Sequence, residues 1–336
     1  MNSRKGKAYY TSRDAILYAF GIGCTPDESS EMKYIYEHDA QFTAFATFPL
    51  TLPFRATVSP HDDASTLFDM PSFPPPFMKA PDFISNQSSP TSGKSGAVIH
   101  LSQKFRLHKP IPISTTSGIP ASVDIVTDVL SMIPHKRGSI VITETRYYTQ
   151  DDLLATSQAT TLYPNKINSP QKNALTSSSL LQPIAVPSSF LPSIKSKQPP
   201  TKKRYLIHNN QALLYRLSGD TNQIHVVGSP LFHSTKPILH GLCTLGYAVR
   251  AVLTLVGIGS ECRYVECKFT KPVFVGDEIE VNMWECDELK YDRAGQPTDE
   301  RVIVFEVRKV NDNSVLVDQG VALSSGVQQD SLNAKL

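Results

Sequence analysis

The sequence predicts an α+β protein made of two copies of one unit, each a curved antiparallel sheet wrapped around a helix. Three observations carry this. Apolar residues recur at helical spacing at Leu239, Leu242, Leu245, Val249, Val252, Leu253 and Val256, in a stretch too apolar all round to lie at a surface. After it come CRYVECKFTKPV, DEIEVNMWECDEL, ERVIVFEVRKV and SVLVDQGVALSS, whose period of two marks strands, with Gly276-Asp277 as the tight turn between the first pair. The first half repeats the strand series more weakly, in VIHLSQKFRLHKPIP, SVDIVTDVLSMI, GSIVITETRYYT and LATSQATTLY, as a duplicated unit does.

At 336 residues the chain is long enough for two cores, and its 40% hydrophobic and 19% charged content is that of a globular protein. Thr11 opens the first helix as the start of a capping box with Asp14, followed by Ile16, Leu17 and Phe20, and Gly21 and Gly23 close it. Pro49 and Pro53 then forbid one long helix, so Phe42, Phe45, Phe48 and Phe54 either fill a core or line an apolar groove. Residues 59–95, rich in Pro, Ser and Asp, read as a surface loop. The Pro- and Ser-rich, purely basic stretch 164–204 reads as a linker. Its basic end, Lys195 to Arg204, is a solvated charge run or a contact for a nucleotide phosphate. The expected organisation is an N-terminal unit at 1–163, the linker at 164–204, a C-terminal unit at 205–327 and a tail at 328–336.

A formal net charge of +2 leaves no basic face for nucleic acid. Cys24, Cys243, Cys262, Cys267 and Cys286 are odd in number and form no C-x-x-C pair, so they are expected as reduced, buried thiols in an intracellular compartment, without a disulfide framework or a metal site. The most apolar stretch, Leu242 to Ile258, contains Arg250 and glycines, which argues against a membrane span. The N-terminal MNSRKGKAYYTSRD lacks the apolar segment of a secretory signal. The final Ala334-Lys335-Leu336 is similar to the S-K-L address, so a peroxisomal location and recognition by the peroxisomal import receptor are expected.

The chemistry is concentrated between Leu213 and Val256. Asp220, Asn222 and His225 lie within one short loop, where a carboxylate and an imidazole can converge on one water as proton donor and acceptor, each worth about 10²- to 10⁴-fold. Gly219 frees the turn before the acid, and Asn222 can orient either partner or the water. Gly241 stands at the mouth of the apolar helix, where a first-turn N–H and the helix dipole can polarise a carbonyl oxygen. By analogy with oxyanion-hole deletions that is worth about 3 to 4 kcal/mol. Singly, an Asp after Gly is a turn former and a lone His is structural. Together they make a site for adding water to an enoyl thioester, with no metal and no redox cofactor required.

The string Y-R-L-S-G-D-T-N-Q-I-H, followed by K-P-I-L-H-G-L-C-T-L-G, resembles the hydratase 2 motif of (R)-specific 2-enoyl-CoA hydratases of the MaoC-like hot-dog superfamily. Y-T-S-R-D, Y-I-Y-E and H-K-P-I-P extend the likeness to the first half, which is similar to the hydratase part of peroxisomal multifunctional β-oxidation enzymes and to free-standing hydratase 2. The resemblance implies a double hot-dog in which only the second unit keeps the motif, and a first unit whose reduced central helix leaves room for an acyl tail. It implies a hydro-lyase that converts trans-2-enoyl-CoA to (3R)-hydroxyacyl-CoA, the CoA thioester being the substrate carrier and no other cofactor taking part. His225 would activate water, Asp220 would help deliver a proton to C2, Asn222 would support both, and Gly241 would give its N–H to the thioester carbonyl. Tyr215, Arg216, Lys236 and His240 are the candidates for substrate and CoA contact, and a homodimer is expected. The chain departs from the pattern at Gln223, where members carry Pro, and at Val227-Gly228, where Asp-Pro is common. Two alternatives stay open: a dehydratase acting on another acyl thioester, and a catalytically silent acyl-CoA-binding protein of the same fold.

Overall fold

The computed structural model describes residues 3–58, 77, 98–113, 120–150, 152–163, 181, 194–196, 198–228, 234–257, 259–286 and 300–325. Most of the 59–95 loop, most of 164–200 and the tail with Ala334-Lys335-Leu336 lie outside these residues.

In chain order the elements are β1 (Arg4–Tyr10), α1 (Ser12–Gly21), α2 (Met32–Ile35), β2 (Ile99–Leu107), β3 (Ala121–His135), β4 (Gly138–Thr149) and β5 (Asp152–Tyr163), then β6 (Thr201–Leu206), α3 (Gln211–Tyr215), α4 (Gly241–Val256), β7 (Glu261–Phe269), β8 (Glu278–Glu285), β9 (Glu300–Lys309) and β10 (Val315–Ser325). The strands form one 10-stranded sheet in the order β1-β3-β4-β5-β2-β7-β10-β9-β8-β6. From edge to centre the first half runs 1-3-4-5-2 and the second 6-8-9-10-7, so each strand has its counterpart at the same place in the other half. The halves meet at β2 and β7, which pair antiparallel with Lys104 opposite Glu266 and Phe105 opposite Val265. Antiparallel pairing of equivalent strands is what a two-fold relation between the units produces.

The 16-residue α4 packs into the curve of the second half and is buried from Leu242 to Val252. Its opposite side is covered by the first unit. Gly246 faces Ile22, and a Cβ there would lie 2.3 Å from the Ile22 side chain. Cys243 Sγ donates to the Gly21 carbonyl at 3.2 Å, and Arg250 Nη1 to the Ile22 carbonyl at 3.0 Å. The Arg250 guanidinium also forms a bidentate pair with Glu31 at 2.8 and 2.9 Å, both side chains buried. Helix α1 begins as its sequence predicts, with the Asp14 carboxylate accepting from the Thr11 N–H at 2.7 Å and its hydroxyl at 2.9 Å. Between β1 and β2 the described residues hold α1, the four-residue α2 and 3-10 turns over Ser29–Glu31 and Phe48–Phe54, and no described helix of α4's length stands in the first unit. Phe45 and Phe48 are buried in the main core, which decides against an apolar groove.

The sequence reading needs two corrections. Strands β1 and β6 fall where no strand was expected, and they are the two edges of the sheet. The stretch 164–204 is also more than a linker. Leu181 and Ile194 seal a second apolar cluster on the outer face of β7 to β10, around Tyr264, Trp284 and Val304, and the Trp284 indole donates to the Gln198 carbonyl at 3.1 Å. Strand β6, which begins within the expected linker, pairs antiparallel with β8. At the basic end of the stretch Lys202 and Arg204 are exposed, and the described cations are ion-paired. Lys195 pairs with Glu306 at 2.5 Å, Lys203 with Glu28 at 2.6 Å, and Lys202 and Arg204 grip Glu280 at 2.9 and 2.7 Å. All five cysteines are buried thiols that form no disulfide. No helix among the described residues is long and apolar enough to cross a membrane.

Candidate active site

The site forms where the loop after α3 turns back beneath the start of α4. Gly219 has φ of +121°, and a Cβ would strike Arg55 Cγ at 2.8 Å, so a side-chain-free residue lets the loop lie against the first unit. Arg55 is itself held by Asp14 at 2.5 Å, so the wall it forms is fixed. Beyond Gly219 the Asn222 N–H donates to Asp220 Oδ1 at 3.2 Å, and Asn222 Oδ1 accepts from the Ile224 N–H at 3.3 Å, capping the 3-10 turn Gln223–His225. Asn222 thus fixes the acid and the imidazole from one position. His225 is 6% exposed.

The tautomer of His225 follows from its partner. Nδ1 lies 2.8 Å from the Ile238 carbonyl, which can only accept, so Nδ1 carries the proton and Nε2 presents its lone pair. By the same logic His240 Nε2 donates to the Asp220 carbonyl at 3.1 Å. The two imidazole rings stack at 3.5 Å with 21° between planes, and Tyr215 packs beneath His240 at 4.8 Å. A carboxylate oxygen of Asp220 and a ring nitrogen from each histidine lie within 4.8 Å of one another. Parallel rings send their lone pairs side by side rather than to a common point, and one nitrogen of each is committed to a carbonyl.

Burial dominates the electrostatics. It pushes the Asp220 carboxyl above its ordinary range, against the opposing pull of His225 and the Asn222 N–H. It pushes His225 below its ordinary value, against the pull of Asp220. His240 is driven further down by burial and by His225. Burial thus acts against the charged form of both groups, while each pulls the other towards it.

Gly241 is the first residue of α4, so its N–H belongs to the turn whose donors have no partner within the helix. Phe269 from the end of β7 packs alongside, 3.5 Å from where a Gly241 Cβ would be, and His100 of β2 rests on Phe269 at 4.9 Å. The first unit thus reaches the site from two directions, through Arg55 and through His100.

The structure places Asp220, Asn222 and His225 together in one loop, with Gly241 following His240 at the start of α4. Of the residues assigned to substrate contact, Tyr215 and His240 lie in the buried stack under His225, with 2% exposure each, too deep to grip a phosphate. Arg216 is half-buried with its Nε unpartnered, and its charge is felt by His240. Lys236 is exposed, beside the part of the loop that is not described. The sequence did not reveal the stacking of His240, although H-G at the helix mouth marked the position.

Residues 192–304 match the MaoC like domain, and residues 9–76 match the MFE-2 hydratase 2 N-terminal domain. The chain is 28% identical over 82% of its length to the mouse peroxisomal multifunctional enzyme type 2, covering 33% of that protein. It is also 28% identical to the peroxisomal enoyl-CoA hydratase 2 of Arabidopsis thaliana, with 82% of each chain covered. The crystal structure of a MaoC-like dehydratase from Phytophthora capsici superposes with a TM-score of 0.70 at 22% identity, over 97% of this chain and 96% of that one. The chain's duplicated sheet has the double hot-dog fold of such structures, with the MaoC like match in the second half and the MFE-2 hydratase 2 N-terminal match in the first. The chain spans between a third and about half of the first curated relatives it matches, at 33% and 47% of their lengths.

Proposed function

We propose that the protein adds water across trans-2-enoyl-CoA to give (3R)-3-hydroxyacyl-CoA, reversibly, as a step of peroxisomal fatty-acid β-oxidation. The observation that carries this is the convergence of a carboxylate oxygen of Asp220 and a ring nitrogen of His225 within 4.8 Å, in the loop that leads to the first-turn N–H groups of α4. His225 Nε2 takes a proton from water as the water oxygen bonds to C3. The double-bond electrons move towards C2 and the thioester oxygen, where the Gly241 N–H stabilises the developing charge. The Asp220 carboxyl then gives a proton to C2, and the proton on His225 returns to Asp220, so one water is consumed and the pair is restored. Addition of water changes no net oxidation state, so the CoA thioester is the only carrier this reading requires.

Arg216 and Lys236 are the proposed CoA contacts, and the first unit is the proposed housing for the acyl tail. The relatives named peroxisomal support the same compartment, where the import receptor would read Ala334-Lys335-Leu336. A homodimer completes the reading. The test follows loss of enoyl absorbance with trans-2-decenoyl-CoA and resolves the product on a chiral phase. The (3R) product is expected, with Asp220→Asn and His225→Gln each lowering kcat by about 10²- to 10⁴-fold. An S product, or variants as fast as the parent, would overturn the assignment.

A further inference from the structure

We propose that His240 is the positioning residue of this site, a buried platform that holds His225, Asp220 and the Gly241 N–H in one mutual geometry. The proposal rests on Asp220 and His225 being the reacting pair. Three contacts support it, each reaching a different part of the machinery. The His240 ring lies flat against His225 at 3.5 Å, fixing the plane in which His225 presents Nε2. Its Nε2–H donates to the backbone carbonyl of Asp220 at 3.1 Å, tying the acid's main chain to the helix mouth. Its own peptide bond to Gly241 carries the N–H proposed to meet the thioester, so the dihedral angles of His240 aim that donor. Few other side chains on the loop are so placed. Asn222 reaches Asp220 and the turn holding His225 but not α4, and Ile238 tethers only the ring of His225.

The platform is itself held rigidly. Tyr215 packs under the His240 ring, Tyr18 of α1 packs on Tyr215 at 5.8 Å, and the Tyr18 hydroxyl bonds to Thr47 at 2.7 Å. A column of four rings therefore runs from the first unit through Tyr18, Tyr215 and His240 to His225. His240 Nδ1 is buried without a partner in this column. A phenylalanine at the position would fill the same space and satisfy every role but the bond to Asp220, so the polar ring is retained at the cost of one unpaired buried nitrogen. Charged and titratable groups around the stack are Asp220, Arg216, His225 and the Tyr215 hydroxyl.

Two substitutions separate the contacts. His240→Phe keeps the stack and removes the bond to Asp220, and His240→Gln keeps a donor and removes the stack. Both are expected to lower kcat by about 10- to 100-fold with KM changed less than about threefold, since positions shift while substrate binding remains. In His240→Gln, water gains access to one face of His225. Its midpoint then rises towards the ordinary value, and the acid limb of the kcat profile moves to higher pH, while in His240→Phe the limb stays. A second readout needs no turnover. In proton NMR the carbon-bound ring protons of His225, assigned by their absence in His225→Gln, are expected upfield in the parent and in His240→Phe, and to lose that shift in His240→Gln. Unchanged kcat and acid limb in both variants would overturn the proposal, as would a His225 signal indifferent to the loss of the stack. If the parent hydrates no enoyl-CoA but the NMR shifts appear as described, the hydratase reading fails and the platform stands.

Discussion

At Gly241 the backbone has no positive φ, and a Cβ would touch Phe269 at an ordinary 3.5 Å, so neither conformation nor packing requires glycine there. The remaining reason is the space beside the N–H, which a methyl group would take from an approaching thioester. Gly241→Ala is accordingly expected to fold with stability unchanged or raised by about 0.4 to 1 kcal/mol, the usual gain of alanine at a compatible site, while kcat/KM falls at least tenfold, by about 1.4 kcal/mol or more. Equilibrium urea unfolding beside steady-state kinetics checks both halves, and a loss of stability equal to the loss of rate would refute it. The acid, the amide, the imidazole and this glycine were legible in the sequence because their roles are set by local spacing. The His225 bond to the Ile238 carbonyl and the His240 stack were not, since both depend on where the chain returns after leaving the motif. Tyr215 and His240, expected among the substrate contacts, lie in the buried stack with their rings against each other.

Among the elements, α4 carries a buried cation that joins the units. Arg250 lies mid-helix with its guanidinium on Glu31 of the first unit and over the rings of Tyr205 and Tyr247 at 4.9 and 5.5 Å. Removing one partner leaves the other charge buried and unpaired, so Arg250→Met is expected to cost about 3 to 5 kcal/mol, and Glu31→Met a similar amount. The double variant should recover most of the loss, because replacing a buried pair with apolar residues is close to neutral. Denaturant midpoints of the two single variants and the double variant decide the matter, and simple additivity would show that the pair is not the cause. The same scale explains which strands could be read. Strands β8 and β9 are buried along most of their length and carry strong apolar patterns. The edges β1 (RKGKAYY) and β6 (TKKRYL) carry the lysines that discourage further pairing, and these erase the alternation a reader looks for. Their place is set by β3 and β8, which pair with them, and not by their own composition. In the 164–204 stretch the prolines and serines around the covering residues Leu181 and Ile194 break any helix or strand pattern, so the stretch read as a linker although it closes the outer cluster.

For the whole molecule, the seam between units and the site are one continuous region: His100 of β2 rests on Phe269 of β7, and Phe269 lies beside Gly241. Three histidines there are held uncharged. Burial pushes His100 down to about 4, against the pull of the Ser102 carbonyl, and it pushes His225 and His240 below the ordinary value as well. Below the ordinary histidine value of about 6.5 the unfolded chain binds protons that the folded chain refuses, so stability must fall as pH falls through that point. Each histidine adds at most about 1.4 kcal/mol per pH unit, and His100, between pH 6.5 and 5, accounts for about 2 kcal/mol. Asp220 acts in the opposite sense, because its raised folded value makes the folded state bind a proton that the unfolded state releases above about 3.8. The histidines outnumber it, so unfolding free energy measured in urea should decline steadily from pH 7 to pH 5. Replacing His100 with Phe, away from the reacting groups, should flatten that decline by about 2 kcal/mol while leaving stability at pH 7.5 within about 1 kcal/mol of the parent. A decline unaffected by His100→Phe would place the titrating groups elsewhere and separate the seam from the site.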